Sequence, residues 1–295
     1  MTPLRAKMIE AMQMHGYSPR THESYLAAVR GLAKYTRRSP DTLTAEDLQR
    51  YFMYLVIERK LAPASVRLAY NGIRFLFLQV LDWPALDLEL TLPKKPSRIP
   101  ALLTRFEVAR ISAACRDLRY HTMLLLCYGC GLRLSELIAV RVSDIDGERS
   151  LLRIEQGKGS KDRLVPLSPT LLAELRGYWR RYRPRGYLFP GQQPGQPLSP
   201  TAIQRVFKRA KAAAGVTKAG GIHGLRHAFA THQLEAGLPV HRLQRLLGHS
   251  DLHSTLRYIP NLGTSHAELP RGRRRAGSDR PFGRDPWLSV LLCRR

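Results

Sequence analysis

The sequence predicts a mainly α-helical protein with a small β-hairpin: a helical N-terminal domain followed by a mixed α+β domain. Three observations point there. Apolar residues recur at helical spacing through the first ninety residues. A proline-rich, basic stretch then interrupts the pattern. Further on, two short β-like runs flank a glycine-containing turn inside otherwise helical sequence. A length of 295 residues suits two domains.

The elements follow in order. In "SPRTHESYLAAVRGLAKYT", Ser18 and Pro19 make an N-cap and a first-turn proline, and Tyr25, Val29, Leu32 and Tyr35 form a stripe. Thr44 with Asp47 three residues on is a capping-box pattern. Val66, Ala69, Ile73, Leu76, Phe77 and Val80 share one face of a further helix. We assign residues 1–90 to a helical domain and 91–103, "TLPKKPSRIPALL", to a linker. Thr104 and Glu107 open a new domain over 104–263 with another capping box, and a helix is expected near 104–115. The runs "LLRIE" and "RLVPL", joined by "QGKGSKD", read as a hairpin. Helices are expected at about 168–182, 199–214, 223–236 and 239–247. Residues 264–295 lack periodicity and read as a basic tail, disordered on its own. From His266 onward it holds eight arginines against three acids.

Charge narrows the function. Lys and Arg number 48 against 23 Asp and Glu, a formal net charge of +25 spread along the chain. Such a balance fits a polyanion, because each cation that neutralises a phosphate releases counterions. An anionic membrane surface is the alternative, and the dispersal of the charge favours nucleic acid. The longest apolar run, around residues 123–132, is too short to span a bilayer, and the N-terminus lacks a signal-peptide core. Of the four cysteines, Cys127 and Cys130 form a CxxC with no second half to complete a zinc site. They read as core thiols in a reducing cytoplasm.

The stretch "HGLRHAFATH" asks a sharper question. His223 and His227, four residues apart, are able to share a metal, but no glutamate stands between them and Arg226 would repel a cation, so no metal is expected. His223 and Arg226 share a face near a helix start, where free N–H groups and the helix dipole favour an anion. A guanidinium offers a fork for two phosphate oxygens. Taken alone, Arg133 in "GLRLSEL" reads as a helix-surface residue, Lys158 in "GKGSKD" as a solvated turn lysine and Tyr258 in "TLRY" as a packed aromatic.

Together these residues resemble the tyrosine recombinase, or phage integrase, family, in the manner of its bacterial and integron members. The motifs come in family order: "GLRLSEL" with Arg133, "GKGSKDRLVPL" with Lys158, "HGLRH" with His223 and Arg226, "LLGHS" with His249, and "TLRY" with Tyr258. Arg226 and His249 are 23 residues apart, His249 and Tyr258 nine. The resemblance runs to about residue 260. It implies a core-binding, DNA-clamping N-terminal domain and a catalytic domain that cuts and rejoins DNA. Tyr258 would form a 3′-phosphotyrosine, Arg133 and Arg226 would neutralise the phosphate, His223 and His249 would add hydrogen bonds, and Lys158 would protonate the leaving 5′ oxygen. Glu136 would orient the site, and His227 would support the helix rather than touch phosphate.

The chemistry is consistent with those residue types. Without a metal, fixed cations must meet the charge that develops on the non-bridging oxygens. A covalent intermediate conserves the linkage energy, so neither a cofactor nor ATP is implied. The expected partner is double-stranded DNA with specific recombination sites, bound by a homotetramer, with no membrane, in the bacterial cytoplasm at the nucleoid. Two other readings compete: a DNA-binding protein impaired in cutting, and a type IB topoisomerase-like enzyme that nicks and reseals. After Tyr258 the chain departs from the family pattern, since Pro260, Asn261 and Gly263 break the helix that commonly docks on a neighbouring protomer.

Overall fold

The computed structural model describes residues 2–84, 101–155, 162–249, 251–256 and 258. Most of the expected linker, the turn that holds Lys158, and the expected tail lie outside the described residues. So does the helix-breaking sequence after Tyr258. The chain divides into two units, Met1–Arg98 and Ile99–Arg295, each with its own apolar core.

Among the described residues the first unit is built of helices: α1 (Pro3–Met14), α2 (Pro19–Thr36), α3 (Ala45–Met53) and α4 (Pro63–Gln79). Proline opens α1, α2 and α4, where its missing N–H costs nothing. The Ser18 hydroxyl caps α2, and Thr44 with Asp47 forms the reciprocal capping box of α3. On α4, Val66, Ile73, Leu76 and Phe77 are buried against Met8, Met12, Leu32, Leu48 and Phe52. Gly72 lets α4 approach α2 closely, since a Cβ there would sit 3.0 Å from the Tyr25 Cα. The stripe expected on α2 stops short of its last member. Tyr35 is exposed and stacks on Tyr54 at 4.5 Å, so surface aromatics rather than the core accommodate its ring.

The second unit begins with α5 (Arg105–Ala114), capped by the Thr104–Glu107 box. Next come α6 (Leu118–Gly129) and the short α7 (Leu134–Ala139). A three-stranded antiparallel sheet follows: β1 (Ile145–Asp146), β2 (Leu151–Ile154) and β3 (Arg163–Pro166). The expected hairpin is therefore β2–β3, with Leu152 opposite Val165 in the core, and β1 extends it at the edge. The chain continues with α8 (Pro169–Tyr182), α9 (Pro200–Ala213), α10 (His223–Glu235), α11 (Val240–Leu247) and α12 (His253–Leu256).

Helix α6 is the centre of this unit. Every residue from Thr122 to Tyr128 is buried, the pattern of a helix surrounded by others. Cys127 and Cys130 lie fully in that core, and burial pushes both thiols up to about 12. The reading of core thiols therefore holds. Among the described residues no helix is long and apolar enough to cross a membrane.

The chain leaves α6 through Gly131, in the left-handed region at φ 58°. A Cβ at that position would lie 2.4 Å from the Phe229 ring on α10. Gly131→Ala therefore combines left-handed strain with overpacking and should lower stability by about 2 to 5 kcal/mol. Thermal and denaturant unfolding measure this, and an unchanged midpoint would contradict the packing described.

Candidate active site

The sharp turn at Gly131 makes Arg133 the residue that precedes α7. Glu136, in the first turn of α7, reaches back to accept the Arg133 backbone N–H at 2.8 Å and the Arg133 Nη1 at 2.7 Å. The same carboxylate takes both terminal nitrogens of Arg163, Nη1 at 2.9 Å and Nη2 at 2.7 Å. Arg226 Nη1 is 3.7 Å away. Glu136 is buried at 7% exposure. Burial opposes its ionisation, but the bonds and charge of Arg163, and then the bonds from Arg133, outweigh it and hold the carboxyl down at about 2.

The end of α11 supplies the other half of the frame. A helix C-terminus carries unpaired carbonyls and a negative dipole end. Here Leu246 O accepts from Arg163 Nε at 2.8 Å, Leu247 O from Arg226 Nη2 at 2.6 Å, and Gly248 O from Arg133 Nη2 at 3.1 Å. Three successive carbonyls thus each receive one of the three arginines that surround Glu136. Gly248 closes the helix at φ 62°, and a Cβ there would meet the Arg163 guanidinium at 2.9 Å.

His249 follows directly. Its Nε2 is 3.1 Å from Arg226 Nη2, and its Nδ1 is 2.7 Å from the Thr255 hydroxyl. Arginine only donates, so Nε2 accepts and the hydrogen sits on Nδ1, donating to Thr255. The Thr255 carbonyl in turn accepts the Tyr258 backbone N–H at 3.1 Å. The Tyr258 ring lies parallel to His249, 6.3 Å between centroids, and its hydroxyl is 3.2 Å from His227 Nδ1. His223 stands edge-on to His227 at 5.1 Å.

The structure thus brings together Arg133, Glu136, Arg226, His249, Tyr258 and His227, with His223 alongside. Lys158 lies outside the described residues. Two placements differ from the simplest sequence picture. His223 and Arg226 begin the same helix, yet His223 is exposed while Arg226 is only 2% exposed, with its Nη1 donating to Gly131 O at 2.7 Å. Burial, with repulsion from Arg133 added, pushes the Arg226 guanidinium down to about 10, which leaves it charged at neutral pH. His227, expected to do no more than support the helix, reaches the Tyr258 hydroxyl.

The motifs gave no notice of Arg163 or Thr255. Arg163 had a signal in strand alternation: it and Val165 face inward while Leu164 faces solvent. An arginine on the buried face of a strand needs an anion, and Glu136 is that anion.

The profile of the phage integrase family matches residues 101–263, and that of the phage integrase N-terminal SAM-like domain matches residues 4–85. The chain belongs to the phage integrase family, the tyrosine recombinases. It is 44% identical over 261 residues to a putative integrase/recombinase, y4qK, of Sinorhizobium fredii, an alignment covering 88% of this chain and 84% of that protein. Tyrosine recombinase XerC 2 of Ralstonia nicotianae is 35% identical over 271 residues, covering 83% and 78%. Among solved structures, that of XerA recombinase aligns at TM-score 0.53 and 27% identity over 90% of this chain and 98% of that one. A λ integrase (75–356) dimer bound to a COC′ core site shares the fold at TM-score 0.72, 20% identity, and 90% and 96% coverage. The sequence resemblance to this family, and the mainly helical fold with a small sheet, are borne out.

Neutralising Glu136 in this recombinase has a defined cost. Its folded carboxyl titrates near 2 against 4.5 for the ordinary group, so the ionised form contributes about 3 kcal/mol. The folded value is depressed, so this stability is fully present above the ordinary pKa and is lost as pH falls toward 2. Glu136→Gln should lower unfolding free energy by about that amount at neutral pH, and the gap should close in acid. Denaturant unfolding across pH is the check, and a gap independent of pH would contradict the assignment.

Proposed function

We propose that this chain is a site-specific DNA recombinase that cleaves and rejoins strands through a 3′-phosphotyrosine, without metal or ATP. The observation that carries this reading is the Tyr258 hydroxyl held among histidines beside the Arg133–Glu136–Arg226 cluster, in a member of this family. Gathered there are three guanidiniums and one carboxylate. The excess positive charge suits a phosphodiester whose non-bridging oxygens gain charge in the transition state.

In this reading Tyr258 Oη attacks phosphorus and the 5′ oxygen leaves. Arg133 and Arg226 stabilise the equatorial oxygens, with His223 as a further donor and His249 as another once its Nε2 carries a proton. Lys158, in the segment between β2 and β3, delivers the proton to the leaving oxygen. The mechanism asks for no resident cofactor.

The partner is double-stranded DNA bearing specific sites, which the net charge of +25 favours and the DNA-bound λ integrase relative supports. Residues 1–90 would clamp DNA, 91–103 would link, 104–263 would catalyse, and the basic 264–295 would follow as a tail. Two sites joined by a homotetramer, in the bacterial cytoplasm at the nucleoid, complete the proposal.

Tyr258→Phe should bind DNA normally and form no covalent adduct on a nicked duplex, while the wild-type chain forms one equally well in EDTA. Native gels report the binding and denaturing gels the adduct. An adduct from Tyr258→Phe, or a metal-restorable loss in EDTA, would refute the mechanism. Relaxation of plasmids that carry a single site, with no product from paired sites, would favour nicking and resealing instead.

A further inference from the structure

We infer that His227 accepts the phenolic proton of Tyr258 during strand cleavage, an inference that rests on the recombinase reading above. The nucleophile must lose a proton at a pH well below the ordinary phenol value of about 10, so an acceptor has to stand at the hydroxyl. His227 Nδ1 does so, at 3.2 Å from Tyr258 Oη.

The neighbouring histidines are placed for other tasks. His249 presents its ring face to Tyr258, with 15° between the planes, while its nitrogens engage Arg226 and Thr255. His223 is exposed one helical turn before His227, and its ring stands perpendicular to that of His227, 89° between planes. Arg226, next to His227 in sequence, completes the charged surroundings: its guanidinium and Tyr258 interact electrostatically, and this favours the phenolate as it forms. Position is secured from both sides. His227 sits in the second turn of α10, a 13-residue helix in the core, and the Thr255 carbonyl holds the Tyr258 backbone.

The step balances. Neutral His227, with its hydrogen on Nε2, takes the Oη proton at Nδ1 and becomes imidazolium. Oη bonds to phosphorus, and the bond from phosphorus to the 5′ oxygen breaks. That oxygen receives its proton from Lys158. In rejoining, the 5′ hydroxyl returns a proton to Lys158 and His227 returns one to Tyr258. Histidine suits a group that must accept and release a proton near neutrality.

The test uses the full chain and a nicked duplex recovered from a randomised pool by binding to the wild-type protein. His227→Asn keeps a hydrogen-bonding atom near the Nδ1 position but has no comparable basicity. Its adduct rate at pH 7 should fall about 100-fold with DNA affinity unchanged. It should then climb toward wild type as pH approaches the phenol's own pKa. On a duplex whose leaving 5′ oxygen is replaced by sulfur, Lys158→Ala should recover and His227→Asn should not, because a thiolate leaves without a proton.

A His227→Asn rate equal to wild type would overturn the inference and leave His227 a positioning residue. A faster His227→Ala would overturn it too, marking the contact as a restraint on Tyr258. So would a His227→Asn defect of equal size at every pH, as expected of a purely structural change. If the wild-type chain itself forms no adduct, the recombinase reading fails, a result distinct from any of these.

Discussion

The second unit depends on one buried carboxylate. Glu136 bonds to Arg133 and Arg163 and lies 3.7 Å from Arg226, so side chains from the residue before α7, from β3 and from α10 converge on it. Guanidiniums packed this closely repel one another, and burial together with repulsion from Arg133 lowers the Arg226 pKa. The carboxylate offsets that repulsion, and the carbonyls of Leu246, Leu247 and Gly248, at the end of α11, each accept from one of the three arginines. Removing one partner of a buried ion pair is far more costly than the pair is worth, which ties the local fold to the site.

The same frame fixes what lies around the phenol. Gly248 ends α11 in the left-handed region and turns His249 back onto Arg226. Thr255 then links the His249 imidazole to the turn that carries Tyr258. His227 belongs to the same α10 that buries Arg226, so the guanidinium and the imidazole at the phenol stand on one helix. Pre-organised charge of this kind stabilises a transition state without reorganising at the moment of reaction.

Much of this was legible in the sequence because the determinants are local. Capping at Ser18, Thr44 and Thr104 fixed helix starts from side chains three residues apart. The apolar run through Cys127 read as core because it has no polar face. What escaped depends on contacts distant along the chain. Arg163 and Glu136 are 27 residues apart, and His227 and Tyr258 are 31 apart. No periodicity reports such pairs. The depth of Arg226 was hidden for the same reason, since its carbonyl partners lie on α11 and in the turn after α6. Tyr35 shows the opposite limit: helical spacing gave its face, but not where along the helix the core ends.

The central claim is that Glu136 aligns Arg133 and Arg226 to neutralise one scissile phosphate. The most direct measurement compares adduct formation by Arg133→Ala on an ordinary duplex and on one whose scissile phosphate carries a methyl group in place of a non-bridging oxygen. The account predicts that the variant fails on the charged phosphate and recovers on the neutral one, where less charge needs stabilising. An equal loss on both substrates would contradict it.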